Sequence, residues 1–118
     1  MPARLRTADP ATVAAALGRR DPGDLKLLTK HFMAVLAERA PGRSVEVRVP
    51  PYAAVQAVPG VRHTRGTPPA VVETDAETWL ALATGDLAWV DAVALGRIQA
   101  SGERADLTAY LPLLGGPA

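Results

Sequence analysis

The stretch VVETDAETWLALATGDLAWVDAVALGRIQASGERADL, residues 71–107, decides the fold. It continues a short apolar strand at 70–73, passes through two helix-forming segments separated by Gly85, and returns to an extended segment, RIQAS, at 97–101. Two strands joined by a helical crossover can lie parallel in one sheet. The stretch therefore predicts an α/β unit in which strands 70–73 and 97–101 run in parallel.

Polar residues mark the helix starts within this stretch. Thr74 and Glu77 match the capping-box pattern, although Asp75 can serve as the N-cap instead. Asp86 is a second N-cap candidate, which predicts a helix over residues 87–95.

The residues before this stretch predict two helices and two strands. Asp9-Pro10 and Asp21-Pro22 are both helix starts, and the second helix should extend to Ala40. Residues 44–49 alternate strictly between polar residues and valine, as in a half-buried strand. Residues 52–58 predict a weaker strand, antiparallel to the first. The second helix carries an apolar stripe of Leu25, Leu28, Phe32 and Leu36.

The remaining segments are a loop and a tail. Residues 59–69, PGVRHTRGTPP, predict an exposed loop, and residues 104–114 predict a final helix because their leucines follow helical spacing. The whole order predicts an α+β fold: a mixed sheet of four to five strands covered on one face by helices.

Composition excludes several classes of protein. The chain has 118 residues and no cysteine, which suits one domain without disulfides or thiolate metal sites. The N-terminus lacks the apolar core of a signal peptide, so we expect a cytoplasmic protein. The net charge of +1 does not indicate nucleic-acid binding. Residues 1–50 carry an excess of positive charge, which either contacts an anionic membrane surface transiently or forms a solvated helix face.

The polar residues suggest no catalytic set. Two histidines, His31 and His63, occur without the spacing of a metal motif, and neither serine lies in a nucleophile elbow. We therefore predict no catalytic residue, metal or cofactor. His63, Arg65 and Thr67 form the densest polar cluster, which either binds an anionic headgroup or holds the loop through its own hydroxyl-to-backbone bonds.

Residues 22–114 resemble the sterol carrier protein family, and in particular a small stand-alone bacterial branch of it. The features that carry the resemblance occur in order: a Val71-Val72 strand, an Asp75-initiated helix, a turn at Gly85, a second helix with Trp89 and Ala92, and Gly96-Arg97-Ile98 before Ser101-Gly102. The resemblance implies residues 21–118 as the carrier domain and residues 1–20 as a helical extension.

The resemblance also implies a function: non-catalytic binding of a fatty acid, sterol-like or acyl ligand between sheet and helices. The alternatives are a protein-interaction or homodimerisation domain with a filled core and no ligand, and an accessory domain of an enzyme. Expected lining residues are apolar and come from three helices and the tail: Phe32, Leu36, Trp79, Leu82, Trp89, Val93, Leu111 and Leu114. Among these, Trp79, Trp89, Leu111 and Leu114 should line one pocket of about 300 Å³ or more.

Overall fold

A computed structural model describes residues 5–60, 70–102 and 105–114. Within these ranges the chain forms four α-helices, four strands and one 3-10 helix. In chain order they are α1 (Pro10–Arg19), α2 (Pro22–Arg39), β1 (Val45–Val49), β2 (Ala53–Ala57), β3 (Ala70–Thr74), α3 (Ala76–Thr84), α4 (Trp89–Ala94), β4 (Ile98–Ser101) and the 3-10 helix (Thr108–Tyr110).

The strands form one mixed sheet in the order β2-β1-β3-β4. β1 and β2 are antiparallel, with Val47 opposite Val55, while β1 and β3 are parallel, with Val47 opposite Val72. The valines of β1 are buried and Arg48 is exposed, as the alternation of residues 44–49 predicts. The predicted α+β class with a mixed sheet covered by helices is confirmed.

The predicted parallel pairing of strands 70–73 and 97–101 is wrong. β3 and β4 are antiparallel, with Thr74 opposite Ile98, and the Thr74 hydroxyl donates to the carbonyl oxygen of Arg97 at 2.8 Å. The connection contains two helices, and the second returns the chain to the end of the sheet at which β3 stopped. β4 therefore starts beside the last residue of β3 and runs back along it.

α2 packs against α1, α3 and β2. Phe32 and Leu36 are fully buried, which confirms their predicted place beneath the helix. The junction of α1 and α2 is tied by Asp24, whose carboxylate accepts from Arg19 Nε at 3.2 Å, from Arg19 Nη2 at 2.8 Å and from the backbone N–H of Asp21 at 3.1 Å. The Arg19 guanidinium lowers the pKa of Asp24.

Of the two N-cap candidates for the helix after β3, the structure has Asp75 and not Thr74 as the cap. Thr74 ends β3, and Asp75 caps α3 by accepting from the backbone N–H of Thr78 at 2.8 Å and from its hydroxyl at 2.9 Å. Burial alone would raise the pKa of Asp75, but these hydrogen bonds bring it below its ordinary value. The predicted start of the next helix at Leu87 is wrong. The Leu87 N–H donates to Ala81 O at 3.2 Å, which prolongs the turn, and α4 begins only at Trp89.

The predicted helix over residues 104–114 is wrong. Among residues 105–114 only the 3-10 helix at 108–110 is helical. Leu111 is extended, with φ −107° and ψ 146°, because the ring of Pro112 disfavours a helical residue before it. Pro112 also lacks the N–H that would continue a helix. The tail therefore crosses the end of α3 as an extended segment.

Candidate functional site

The predicted lining residues fall into two groups according to burial. Phe32, Leu36, Trp79 and Leu82 are at most 1% exposed and belong to the hydrophobic core. Trp89 and Leu111 lie at its edge, whereas Val93 and Leu114 are 48% and 46% exposed. The structure thus brings six of the eight residues into or against the core and leaves two in solvent.

Trp79 is part of a closely packed region between α2 and α3. Its indole Nε1 donates to the backbone carbonyl oxygen of Thr29 at 3.3 Å, and both residues are fully buried. The Thr29 hydroxyl oxygen is buried without a hydrogen-bond partner in the described part of the chain. The hydrogen bond from Trp79 Nε1 to the Thr29 carbonyl oxygen holds the Trp79 ring in the interface between the two helices.

Trp89 and Leu111 line one cleft, which we call the Trp89 cleft. It has a volume of about 240 Å³, and α3, the turn after it, α4 and the tail all contribute to its wall. Most of its lining is apolar. The lining residues are Leu82, Gly85, Leu87, Ala88, Trp89, Thr108, Leu111 and Pro112.

Neither Trp79 nor Leu114 lines the Trp89 cleft, and its volume is below the 300 Å³ expected from the sequence. The Trp79 indole instead faces α2, where its Nε1 donates to the Thr29 carbonyl oxygen. Leu114 lies outside because the tail is extended there, so that Leu113, one position earlier, is the buried residue.

Backbone hydrogen bonds hold the tail in place along this cleft. The N–H groups of Leu113 and Leu114 both donate to the carbonyl oxygen of Ala83, at 2.8 and 3.0 Å. Carbonyl groups in the last turn of a helix have no partner within the helix, so the tail satisfies one that α3 leaves open. Leu107 and Leu113 are buried on either side of the cleft-lining segment and anchor it.

Val93 was predicted to line the cavity from the inner face of α4, but it is exposed. Trp89 and Ala92 are the buried residues of this helix, and Val90 and Val93 face solvent. The helix begins two residues later than predicted and has only six residues. It is therefore too short to bury a second stripe. Leu95, which follows it, is also exposed.

The polar candidates are tested only in part. His63, Arg65 and Thr67 lie outside the described residues. His31 is half-buried, and its Nδ1 accepts from the backbone N–H of Ala8 at 2.9 Å. Burial lowers the pKa of His31, against a smaller opposing effect of Glu38. In the described ranges no three or more His, Cys, Asp or Glu side chains cluster in a way that could hold a metal ion.

Part of the basic charge of the N-terminal half is paired with acidic side chains. Arg19 contacts Asp24, Arg20 Nη1 lies 3.4 Å from Asp86 Oδ2, and Arg48 contacts Glu46. Three of the arginines that could attract an anionic membrane surface thus have acidic neighbours. None of the described helices has the length and apolar character needed to cross a bilayer.

A second cleft, which the sequence did not indicate, lies beside the junction of α1 and α2. Its volume is about 430 Å³. We call it the Tyr52 cleft; it is lined by Arg20, Asp21, Pro22, Leu25, Tyr52, Glu77 and Leu80. These residues come from three separate segments, 20–25, 52 and 77–80, and no motif in the sequence connects them.

Comparison with protein families gives a match to a family model described as "Bacterial SCP ortholog", over residues 20–113. This range covers most of the chain. It includes the sheet, α2 to α4 and the tail as far as Leu113. No curated protein matches the chain significantly.

Proposed function

Because the chain belongs to the family of bacterial orthologues of the sterol carrier protein (SCP), we propose that it binds a lipid or other apolar small molecule in the Trp89 cleft without catalysing a reaction. The observation that carries this proposal is the cleft itself. Side chains of Leu82, Leu87, Trp89 and Leu111 meet there without filling the space between them.

The dimensions of the cleft favour a narrow ligand. Pockets that enclose drug-sized molecules usually start at about 300 Å³. The Trp89 cleft holds about 240 Å³, which suits an acyl chain better than a rigid ring system. Each methylene buried against this lining contributes about 0.8 kcal/mol. A fatty acyl chain with its polar end in solvent is therefore the proposed ligand.

The tail gives the proposed site a movable wall. Leu111 and Pro112 line the cleft and follow the 3-10 helix, whose last hydrogen bond, from the Leu111 N–H to Thr108 O, is long at 3.4 Å. Its attachment at Ala83 and the burial of Leu107 and Leu113 hold it from both ends. A ligand longer than the cleft can be accommodated if residues 108–112 move outward while these anchors stay in place.

The two tryptophans allow a direct test, because they are the only ones in the chain. In a Trp79→Phe variant, Trp89 is the single reporter, and titration with decanoate should shift its emission to shorter wavelength. In a Trp89→Phe variant, the remaining signal from the buried Trp79 should not respond. Leu111→Ser should weaken the response, and Val93→Ser is the matched control on the exposed face of α4.

The alternative is an interaction domain whose core is filled. It is favoured by the exposed apolar side chains of Val90, Val93 and Leu95 on and after α4. Sedimentation of the protein without ligand separates the two proposals. A dimer that Val90→Glu dissociates, together with no fluorescence response to decanoate, would favour interaction over ligand binding.

A further inference from the structure

The Tyr52 cleft combines an apolar floor with charged groups at its rim. Leu25 and Tyr52 are half-buried and Leu80 is buried, so these three side chains form a surface that water only partly covers. Arg20, Asp21 and Glu77 are exposed and line the same cleft. Its volume of about 430 Å³ lies within the usual range for small-molecule sites.

Three separate elements hold these groups in place. α1 ends in a left-handed residue, Arg20, with φ 53°, whose backbone N–H donates to Ala16 O at 2.8 Å. This turn carries the chain directly into Asp21 and the start of α2. Tyr52 lies in the turn between β1 and β2, where its N–H donates to Val49 O at 3.0 Å. Glu77 is in the first turn of α3.

The balance of charge in the cleft is negative. The guanidinium of Arg20 is directed to acceptors of its own, since Nη1 lies 3.4 Å from Asp86 Oδ2 and Nε donates to Leu17 O at 3.3 Å. Asp21 and Glu77 form no ion pair with a described residue. Arg20 and Asp86 offset each other, as do Arg19 and Asp24. The rim keeps the negative charges of Asp21, which caps α2 and also attracts Arg19, and of Glu77.

From this arrangement we propose that the Tyr52 cleft binds an amphiphilic organic cation, with an alkyl or aryl body on Leu25, Tyr52 and Leu80 and an ammonium group beside Asp21 and Glu77. The carboxylates attract a cation and repel a fatty-acid anion. The ring of Tyr52 adds a favourable surface for an ammonium group. The proposal is independent of the proposed function, because the two clefts share no lining residue.

A series of three probes with the same alkyl chain tests whether the Tyr52 cleft prefers a positively charged head group. Octylammonium, octanol and nonanoate each carry an eight-carbon alkyl chain and differ in the head group. Binding is followed by amide chemical shifts of Leu25, Tyr52 and Leu80 in the intact protein. We expect octylammonium to bind at least about fivefold more tightly than nonanoate at low salt, since exposed ion pairs contribute up to about 1 kcal/mol each. Equal affinity for all three, or tighter binding of nonanoate, would overturn the proposal.

Variants at the rim test the mechanism without disturbing the core. Glu77→Gln should weaken octylammonium about two- to fivefold and leave octanol unchanged. Asp86→Asn should also weaken octylammonium, although Asp86 does not line the cleft, because it releases the positive charge of Arg20. Leu25→Ala should weaken all three probes. If neither charge variant alters the preference for octylammonium, the carboxylates do not recognise it and the proposal fails.

A further variant separates the two clefts. Trp89→Phe should leave octylammonium shifts at Leu25 and Tyr52 unchanged, whereas it should abolish the fluorescence response to decanoate. Octylammonium shifts that map to Leu82, Leu87 and Leu111 instead of the Tyr52 cleft would overturn the assignment of this second site. If the unaltered protein binds octylammonium but not decanoate, only the proposed function is contradicted.

Discussion

Trp79 and Trp89 lie ten positions apart in the sequence, yet their surroundings differ in kind. Trp79 is 0% exposed, is hydrogen-bonded to Thr29 and is enclosed between α2 and α3. Trp89 is 8% exposed and has a cleft beside it, which α4 and the tail leave open. The fold therefore packs tightly around Trp79 and incompletely around Trp89. The surroundings of Trp89 are one place where a ligand can be bound without breaking the core.

The difference follows from the elements available on each side. On the Trp79 side, α2 is an 18-residue helix that contacts α1, α3 and β2. On the Trp89 side, α4 has only six residues and the tail is mostly extended. Short elements bury few side chains, and the exposed Val90, Leu95 and Leu114 are the result. The packing around Trp79 and the Trp89 cleft therefore depend on different parts of the chain.

The largest effect is expected from truncating the two tryptophans in turn. Trp79→Ala should lower the free energy of unfolding by about 3–5 kcal/mol, because it leaves a large cavity in a packed region. Trp89→Ala should cost clearly less, since the side chain already borders an open cleft. Urea denaturation followed by circular dichroism measures both. Equal losses would show that the region around Trp89 is as closely packed as the core.

A smaller effect should distinguish adjacent residues of the tail. Leu113 is buried and Leu114 is 46% exposed, although the N–H groups of both donate to Ala83 O. Leu113→Ala should destabilise the protein by about 2–3 kcal/mol, and Leu114→Ala by about 0.5 kcal/mol or less. Thermal unfolding of the two variants checks this. A similar loss for Leu114→Ala would mean that the tail lies differently on α3.

The smallest effect is local and depends on pH. Burial lowers the pKa of His31 in the folded state, so its neutral form contributes stability that is fully present above the unfolded value of 6.5. This contribution is lost as the pH falls below 6.5 towards the lowered folded pKa. Protonation also removes the Nδ1 acceptor that holds the Ala8 N–H. The protection factor of the Ala8 amide, which corrects for the pH dependence of intrinsic exchange, should fall in this range while that of the Trp79 amide does not. His31→Gln should abolish the pH dependence, and its persistence in that variant would contradict the assignment to His31.

The sequence predicted the packed side of the molecule better than the open side. Alternation in residues 44–49 and the stripe containing Phe32 and Leu36 have the period of their elements, and burial enforces that period. The tail has helical spacing as well, but Pro112 prevents the helix that the spacing suggests. The direction of β4 depends on where two consecutive helices return the chain, and periodicity contains no information about that.

The two candidate sites also differ in whether a local sequence pattern could predict them. Trp89, Leu82 and Leu111 were predicted as lining residues because apolar helix faces had to converge near them, and the structure places all three at one cleft. The Tyr52 cleft could not be predicted. Arg20, Tyr52 and Leu80 come from elements that meet only after the sheet and helices are assembled, so no local pattern relates them.

The two hydrogen bonds to the Ala83 carbonyl also bear on the order of events during synthesis. The end of α3 and one wall of the Trp89 cleft are completed by residues 111–114, about thirty positions downstream of Ala83. A nascent chain that has emerged only as far as β4 can already pair its four strands, but it has no cleft. The binding surface thus forms after the sheet, and a ribosome-bound chain truncated before Leu111 should pair its strands without gaining affinity for decanoate.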